Sequence, residues 1–286
     1  MLIRFSWILL MLAFAAWGAL PETERARRLY DSTEYRQSIV ILQALPEKNA
    51  AAYELLGKGY YRIGDYKEAT EAFEKAIAAD PRNSVYHNWL GKAYGRRAET
   101  SSVFTAARYA SRARKAFEQA VQLDPSNKEA LNDLFEYYLQ APGFMGGGFD
   151  KAAAMATRIA ALDPAEGHYV QARMAEKRKE FGKAEQHLRR AAELAPRQVG
   201  RVVDLARFLA SQGRFDESEQ AFRKAEKIEP DNPKLLFERA STYIRAGRNL
   251  DTARDLLGRY LESDLTPDDP PRGEAERLLK QVSGSS

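Results

Sequence analysis

Chemistry needs converging side chains, and this chain supplies few that could converge. Cysteine is absent, which removes thiol nucleophiles and thiolate metal sites. Histidine occurs only at His87, His168 and His187, and their spacing makes neither a metal triad nor a His-activated nucleophile. Paired carboxylates such as Asp268-Asp269 and Glu71 with Glu74 suit turns and solvated faces better than acid–base work. The run Ala141-Pro142-Gly143-Phe144-Met145-Gly146-Gly147-Gly148-Phe149 could aim backbone N–H groups at a phosphate. A phosphate loop, however, needs Gly-Lys-Ser/Thr leading from a strand into a helix, and here Phe149 and Asp150 follow the glycines. The run is expected to be a widened turn instead, with Phe144 and Met145 folding back or meeting a partner. No catalytic residue, metal or cofactor is expected. The charge, 44 basic against 40 acidic residues, is too balanced to imply nucleic acid or an anionic membrane, and no nucleic-acid motif is present.

The elements that could position a binding surface are written as a period. Residues 50–83 carry Tyr53, Leu56, Gly57, Tyr60, Gly64, Asp65, Tyr66, Ala69, Phe73, Ala76 and Pro81. Residues 199–232 carry Val202, Leu205, Ala206, Leu209, Gly213, Arg214, Phe215, Ser218, Phe222, Ala225 and Pro230 at the same offsets. A fixed period of 34 residues marks stacked repeats. A small residue at the eighth position (Gly57, Gly91, Ala172, Ala206, Ala240) lets the first helix of a repeat approach the second. Ala69, Ala113, Ala152, Ala184 and Ala253 are small on the facing surface. Phe73, Phe117, Leu188, Phe222 and Leu257 follow one turn later and fill the gap between repeats. Gly64-Asp65 and Gly213-Arg214 separate the two helices. Pro81, Pro125, Pro164, Pro196 and Pro230 stop the second. This pattern resembles the tetratricopeptide repeat (TPR). The resemblance implies an all-α, TPR-type α-solenoid, a right-handed superhelix of antiparallel helix pairs that binds other proteins.

With tolerance the pattern gives about seven repeats, at 19–49, 50–83, 84–127, 128–164, 165–198, 199–232 and 233–267. The first keeps Ala26, Tyr35 and Leu42 but has a shortened second helix. Residues 268–286 should form a capping helix and a frayed tail, with Asp269 as N-cap and Ala275, Leu278, Leu279 and Val282 as the apolar stripe. The third repeat gains a stretch in which Val103, Ala106, Ala110, Ala113, Phe117 and Ala120 form a helical seam. It predicts one helix of about 22 residues, roughly 33 Å long, capped by Ser101 or Ser102 and overhanging its neighbours by two to three turns. Arg96, Arg97, Arg108, Arg112, Arg114 and Lys115 stand there against Glu99 alone. They read first as a solvated helix face and second as a docking patch for an acidic partner.

In such arrays the first helices line a concave groove. The resemblance therefore turns Glu54, Leu55, Lys58, Tyr61 and Arg62 inward, followed by Asn88, Trp89, Lys92 and Arg96. Lys58, Tyr61, Arg62, Asn88, Trp89, Lys92 and Arg96 are the candidate peptide-binding residues, suited to an acidic or C-terminal peptide. Trp89 has a second reading, as packing between repeats, because His87 occupies the usual aromatic position. His87 itself is expected to pack. The TPR proteins that bind chaperone tails use two Asn with Lys and Arg across three repeats. Glu54, Glu129 and Asp133 stand where those groups are needed, so chaperone C-termini are not expected here.

Residues 1–18 read as a secretory signal peptide or an uncleaved N-terminal anchor. Arg4 precedes a charge-free run from Phe5 to Leu20, with small residues at Ala13-Phe14-Ala15 and Ala16-Trp17-Gly18. Its removal takes away only Arg4 and lowers the net charge from +4 to +3. No cysteine follows the run, which excludes a lipoprotein. The expected function is a non-enzymatic exported scaffold, periplasmic or secreted, that binds an envelope protein or peptide. The alternative is a membrane-anchored accessory factor for assembly or secretion, with its repeats outside the cytoplasm and the membrane touched only by the N-terminal segment.

Overall fold

The computed structural model describes residues 21–284, and the expected leader at 1–18 lies outside them. The described residues hold fifteen α-helices and no β-strand. They run as antiparallel pairs: α1 (Glu22–Asp31) with α2 (Tyr35–Ala44), α3 (Ala50–Arg62) with α4 (Tyr66–Ala79), and α5 (Ser84–Glu99) with α6 (Val103–Leu123). Then come α7 (Lys128–Gln140) with α8 (Phe149–Leu162), α9 (Pro164–Lys177) with α10 (Phe181–Leu194), α11 (Val199–Ser211) with α12 (Phe215–Ile228), and α13 (Pro233–Ala246) with α14 (Leu250–Glu262). A last helix, α15 (Arg272–Ser283), packs on α13 and α14.

Close packing of each pair rests on the small residues that the period supplies. A Cβ on Gly57 would come within 2.8 Å of the Phe73 ring, and one on Gly91 within 2.5 Å of Phe117. Phe73 and Phe222 are fully buried. Odd-numbered helices of successive pairs touch directly, as in α1–α3, α5–α7 and α11–α13, whereas successive even-numbered helices touch only slightly if at all. The stack therefore bends toward the odd helices, which form its inner wall.

Four details differ from the sequence reading. The insertion in the third repeat is divided between two helices. α6 has 21 residues against 14 in α4, but α5 is also extended, to 16 against 13 in α3. The overhang of α6 is thus about two turns, partly accompanied by α5. Pro164 does not merely stop α8; it opens α9, with Asp163 as N-cap accepting from the N–H groups of Ala165 and Glu166. Asp269 does not cap α15. Its carboxylate takes the Thr266 N–H and hydroxyl, each at 2.9 Å, and the helix starts later at Arg272. His87 stays half-exposed with Nε2 3.0 Å from the Pro81 carbonyl, while Tyr86 goes into the core beside it.

The glycine run forms the expected widened turn. A single 3-10 turn, Gly143–Met145, ends at Gly146 in the left-handed region with φ 86°. A side chain on Gly147 would collide with the Ala141 carbonyl. Phe149 opens α8 as Tyr66 opens α4, and Ala152 is buried as Ala69 is. Phe144 stands out at the tip, 83% exposed.

The two ends of the array approach each other. Thr33, Tyr35 and Arg62 face Thr266, Asp269 and Arg272 across a cavity of about 190 Å³.

Candidate peptide-binding groove

The inner wall of the second and third repeats gathers the candidate residues around one ring. Trp89, on α5, is buried with only 9% exposure. It stacks on Phe73 at 6.0 Å and meets Tyr61 edge-on at 5.5 Å, so it does pack between repeats. Over the same ring lie Lys58 Nζ at 5.2 Å, Lys92 Nζ at 4.8 Å and the Arg62 guanidinium at 6.0 Å from its centre. α3 supplies Lys58, Tyr61 and Arg62 one turn apart, and α5 supplies Trp89 and Lys92 three residues apart.

These cations differ in their partners. Lys58 pairs with Glu54 at 2.5 Å on its own helix. Lys92 reaches Glu129 and, at 3.3 Å, Asp133 on α7. Burial works against the Lys92 ammonium, but the Asp133 and Glu129 carboxylates outweigh it and hold Lys92 above the usual lysine range. No carboxylate lies within ion-pair distance of Arg62 among the described residues; its Nε donates to the Tyr30 hydroxyl at 3.4 Å. Arg96 sits apart from Trp89, donating to the Tyr66 hydroxyl at 3.1 Å and pairing with Glu99. Asn88 is buried and donates from Nδ2 to Asp133 at 2.9 Å, while its Oδ1 has no partner among the described residues. An orphaned buried acceptor costs about 1–3 kcal/mol.

Sequence reasoning missed the rest of the inner wall. Charges there cross from one repeat to the next: Arg173 to Glu136 at 3.2 Å, Arg201 to Glu166, and Arg207 to Glu238 at 3.2 Å. A concavity of about 480 Å³ opens among α9, α11 and α13, lined by Tyr169, Arg173, Asp204, Arg207 and Phe208. Asp204 lies 3.2 Å from Arg201, yet burial pushes its carboxyl up to about 6. His168 and His187, far apart in the repeat reading, meet with Nδ1 atoms 3.0 Å apart between α9 and α10. Such pairings join residues from different helices, and only the period itself could have located them.

Residues 50–83 match a sequence profile described as tetratricopeptide repeat, and residues 146–199 and 203–270 match a second profile of that description, together more than half of the chain. No curated protein sequence matches significantly. Among solved structures, a tetratricopeptide repeat protein from Parabacteroides merdae is similar, with 15% identity and a TM-score of 0.58, over 92% of this chain and 97% of that one. A thermophilic TPR protein of Thermus thermophilus matches with 19% identity and a TM-score of 0.53, over 66% of this chain and 97% of that one. At these identities the likeness is one of fold.

Proposed function

The chain belongs to the tetratricopeptide repeat family and is a protein-interaction scaffold, and from that premise we propose that the Trp89 groove holds an extended acidic or C-terminal peptide. The observation that carries this reading is the convergence of Lys58, Arg62 and Lys92 on one aromatic ring. Arg62, without a carboxylate of its own, is the primary anchor. Lys92 joins when a peptide carboxylate exchanges with Glu129, whose side chain is 54% exposed. Tyr61 supplies apolar contact, and buried Asn88 holds Asp133 beside Lys92. Two or three charge-assisted contacts, each worth at most about 1.5–3 kcal/mol, set affinity near the micromolar range. The scaffold acts without catalysis.

Trp89 is the sole tryptophan after residue 18. In a chain with Trp7→Phe and Trp17→Phe, its emission therefore reports on the groove. Titration with an acidic peptide should perturb that emission, and Lys58→Glu with Arg62→Glu should weaken the response at least about tenfold. An unaltered titration in the folded double variant would remove the assignment.

The same proposal places the scaffold outside the cytoplasm, in the cell envelope. Its support is the charge-free run Phe5–Leu20 behind Arg4. Intact-mass measurement of protein purified from its native host decides between the forms. Loss of about 15–18 residues indicates cleavage and export; an intact N-terminus indicates a tethered scaffold.

A further inference from the structure

Three arginines outside the groove converge on one pair of tyrosine rings. Tyr94 of α5 and Tyr109 of α6 stack at 6.1 Å with 20° between their planes. The Arg97 guanidinium lies 4.2 Å from the centre of the Tyr109 ring, donating to the Tyr109 hydroxyl at 2.7 Å and to Thr70 Oγ1 at 2.8 Å. Arg108 lies 5.2 Å from the same ring centre. Arg112 donates to the Tyr94 hydroxyl at 3.0 Å and sits 5.4 Å from that ring centre. The neighbouring Arg96 and Arg114 have carboxylates, Glu99 and Glu118. Arg97, Arg108 and Arg112 have none within ion-pair distance among the described residues. The one acid in the cluster, Glu74, is engaged by the Tyr94 hydroxyl.

Three like charges gathered around a single carboxylate repel one another. The Arg108 and Arg97 guanidiniums hold the Tyr109 phenol below its usual range. Along the inner wall, by contrast, arginines that cross between repeats meet carboxylates. The rings and hydroxyls hold the three guanidiniums in place before anything binds, which lowers the ordering cost of binding.

We propose that Arg97, Arg108 and Arg112 form a second docking site, on the side of the array away from the groove, for an acidic segment of a partner protein. α4 and α6, both even-numbered helices, contribute to it through Thr70, Glu74, Arg108, Tyr109 and Arg112. An extended peptide places every second side chain on one side, about 6.6 Å apart. The three guanidiniums gather about two rings whose centres are 6.1 Å apart, within the reach of such a segment. A run with Asp or Glu at alternate positions brings several carboxylates to the cluster at once.

The test uses the full chain carrying Lys58→Glu and Arg62→Glu, which disables the groove. A fluorescein-labelled peptide of alternating Glu and Ser is titrated by fluorescence anisotropy, with circular dichroism confirming the helices. The site should still bind this peptide, and adding Arg108→Glu and Arg112→Glu should weaken binding at least about tenfold. Both residues are exposed, so the helices should persist. If the glutamates unfold the α5–α6 hairpin, the milder Arg108→Gln with Arg112→Gln gives the same reading. No peptide binding in the groove-disabled chain, or binding that ignores the arginine changes, overturns the proposal. Binding of pyrophosphate without binding of the peptide also overturns it.

Discussion

Asp204 is a carboxyl whose chemistry is changed by its surroundings. Its carboxyl titrates near 3.8 when free and is pushed up to about 6 by burial in the folded chain. Between those values the native state keeps a proton that the unfolded state has lost. Stability therefore falls as pH rises through this window, and the penalty is complete above its upper edge. Asparagine at this position does not titrate. The stability of Asp204→Asn relative to the parent should thus rise by on the order of 1–3 kcal/mol between about pH 4 and pH 7. Urea unfolding at the two pH values measures it; a difference independent of pH would show that the carboxyl is not effectively buried. Other side chains here also take their roles from distant neighbours. Trp89 is both core and platform, because Phe73 occupies one approach to its ring while cations occupy another.

At the scale of helices, the decisive contacts are rings set against missing side chains. Phe73 fills the space left by Gly57, and Phe222 holds the equivalent place between α11 and α12 with Ala206 buried alongside. Phe73→Ala or Phe222→Ala should cost about 3–5 kcal/mol in chemical denaturation. A loss under about 1 kcal/mol would mean that the ring does not join neighbouring helices. The helices were legible in the sequence because their packing repeats: small residues, rings and breakers recur at one spacing, and each marks a local geometry. The partners of the groove charges were not. Lys92 and Asp133 sit on α5 and α7, and Arg201 and Glu166 on α11 and α9, so each pair depends on how successive repeats are rotated. Nor did the inserted residues announce how α5 and α6 would divide them, since both helices can lengthen without losing the seam. His87 kept the aromatic slot of the period, which stays half-exposed as at Tyr53, while the preceding position is buried at Tyr86 as at Ala52.

For the whole molecule, Thr33, Tyr35 and Arg62 share one cavity with Thr266, Asp269 and Arg272 from the opposite end of the array. The chain contains no cysteine, so Thr33→Cys with Gly273→Cys introduces the only two thiols. Position 273 has open space for a side chain. A short bis-maleimide should join the pair within one molecule in buffer and fail to do so in about 6 M urea, where the unfolded ends lie tens of ångströms apart. Equal yields in both would show that the ends do not hold each other. Where they do hold, the first helices surround an inner space instead of lining an open gutter. A flexible tail can thread such a space, but an internal segment of a folded partner must wait for the seam to part. Association with internal segments should then level off at high ligand concentration, at the rate of seam opening. Free tails should show no such ceiling, so the closed array would sort its partners by how quickly they get in as well as by how tightly they stay.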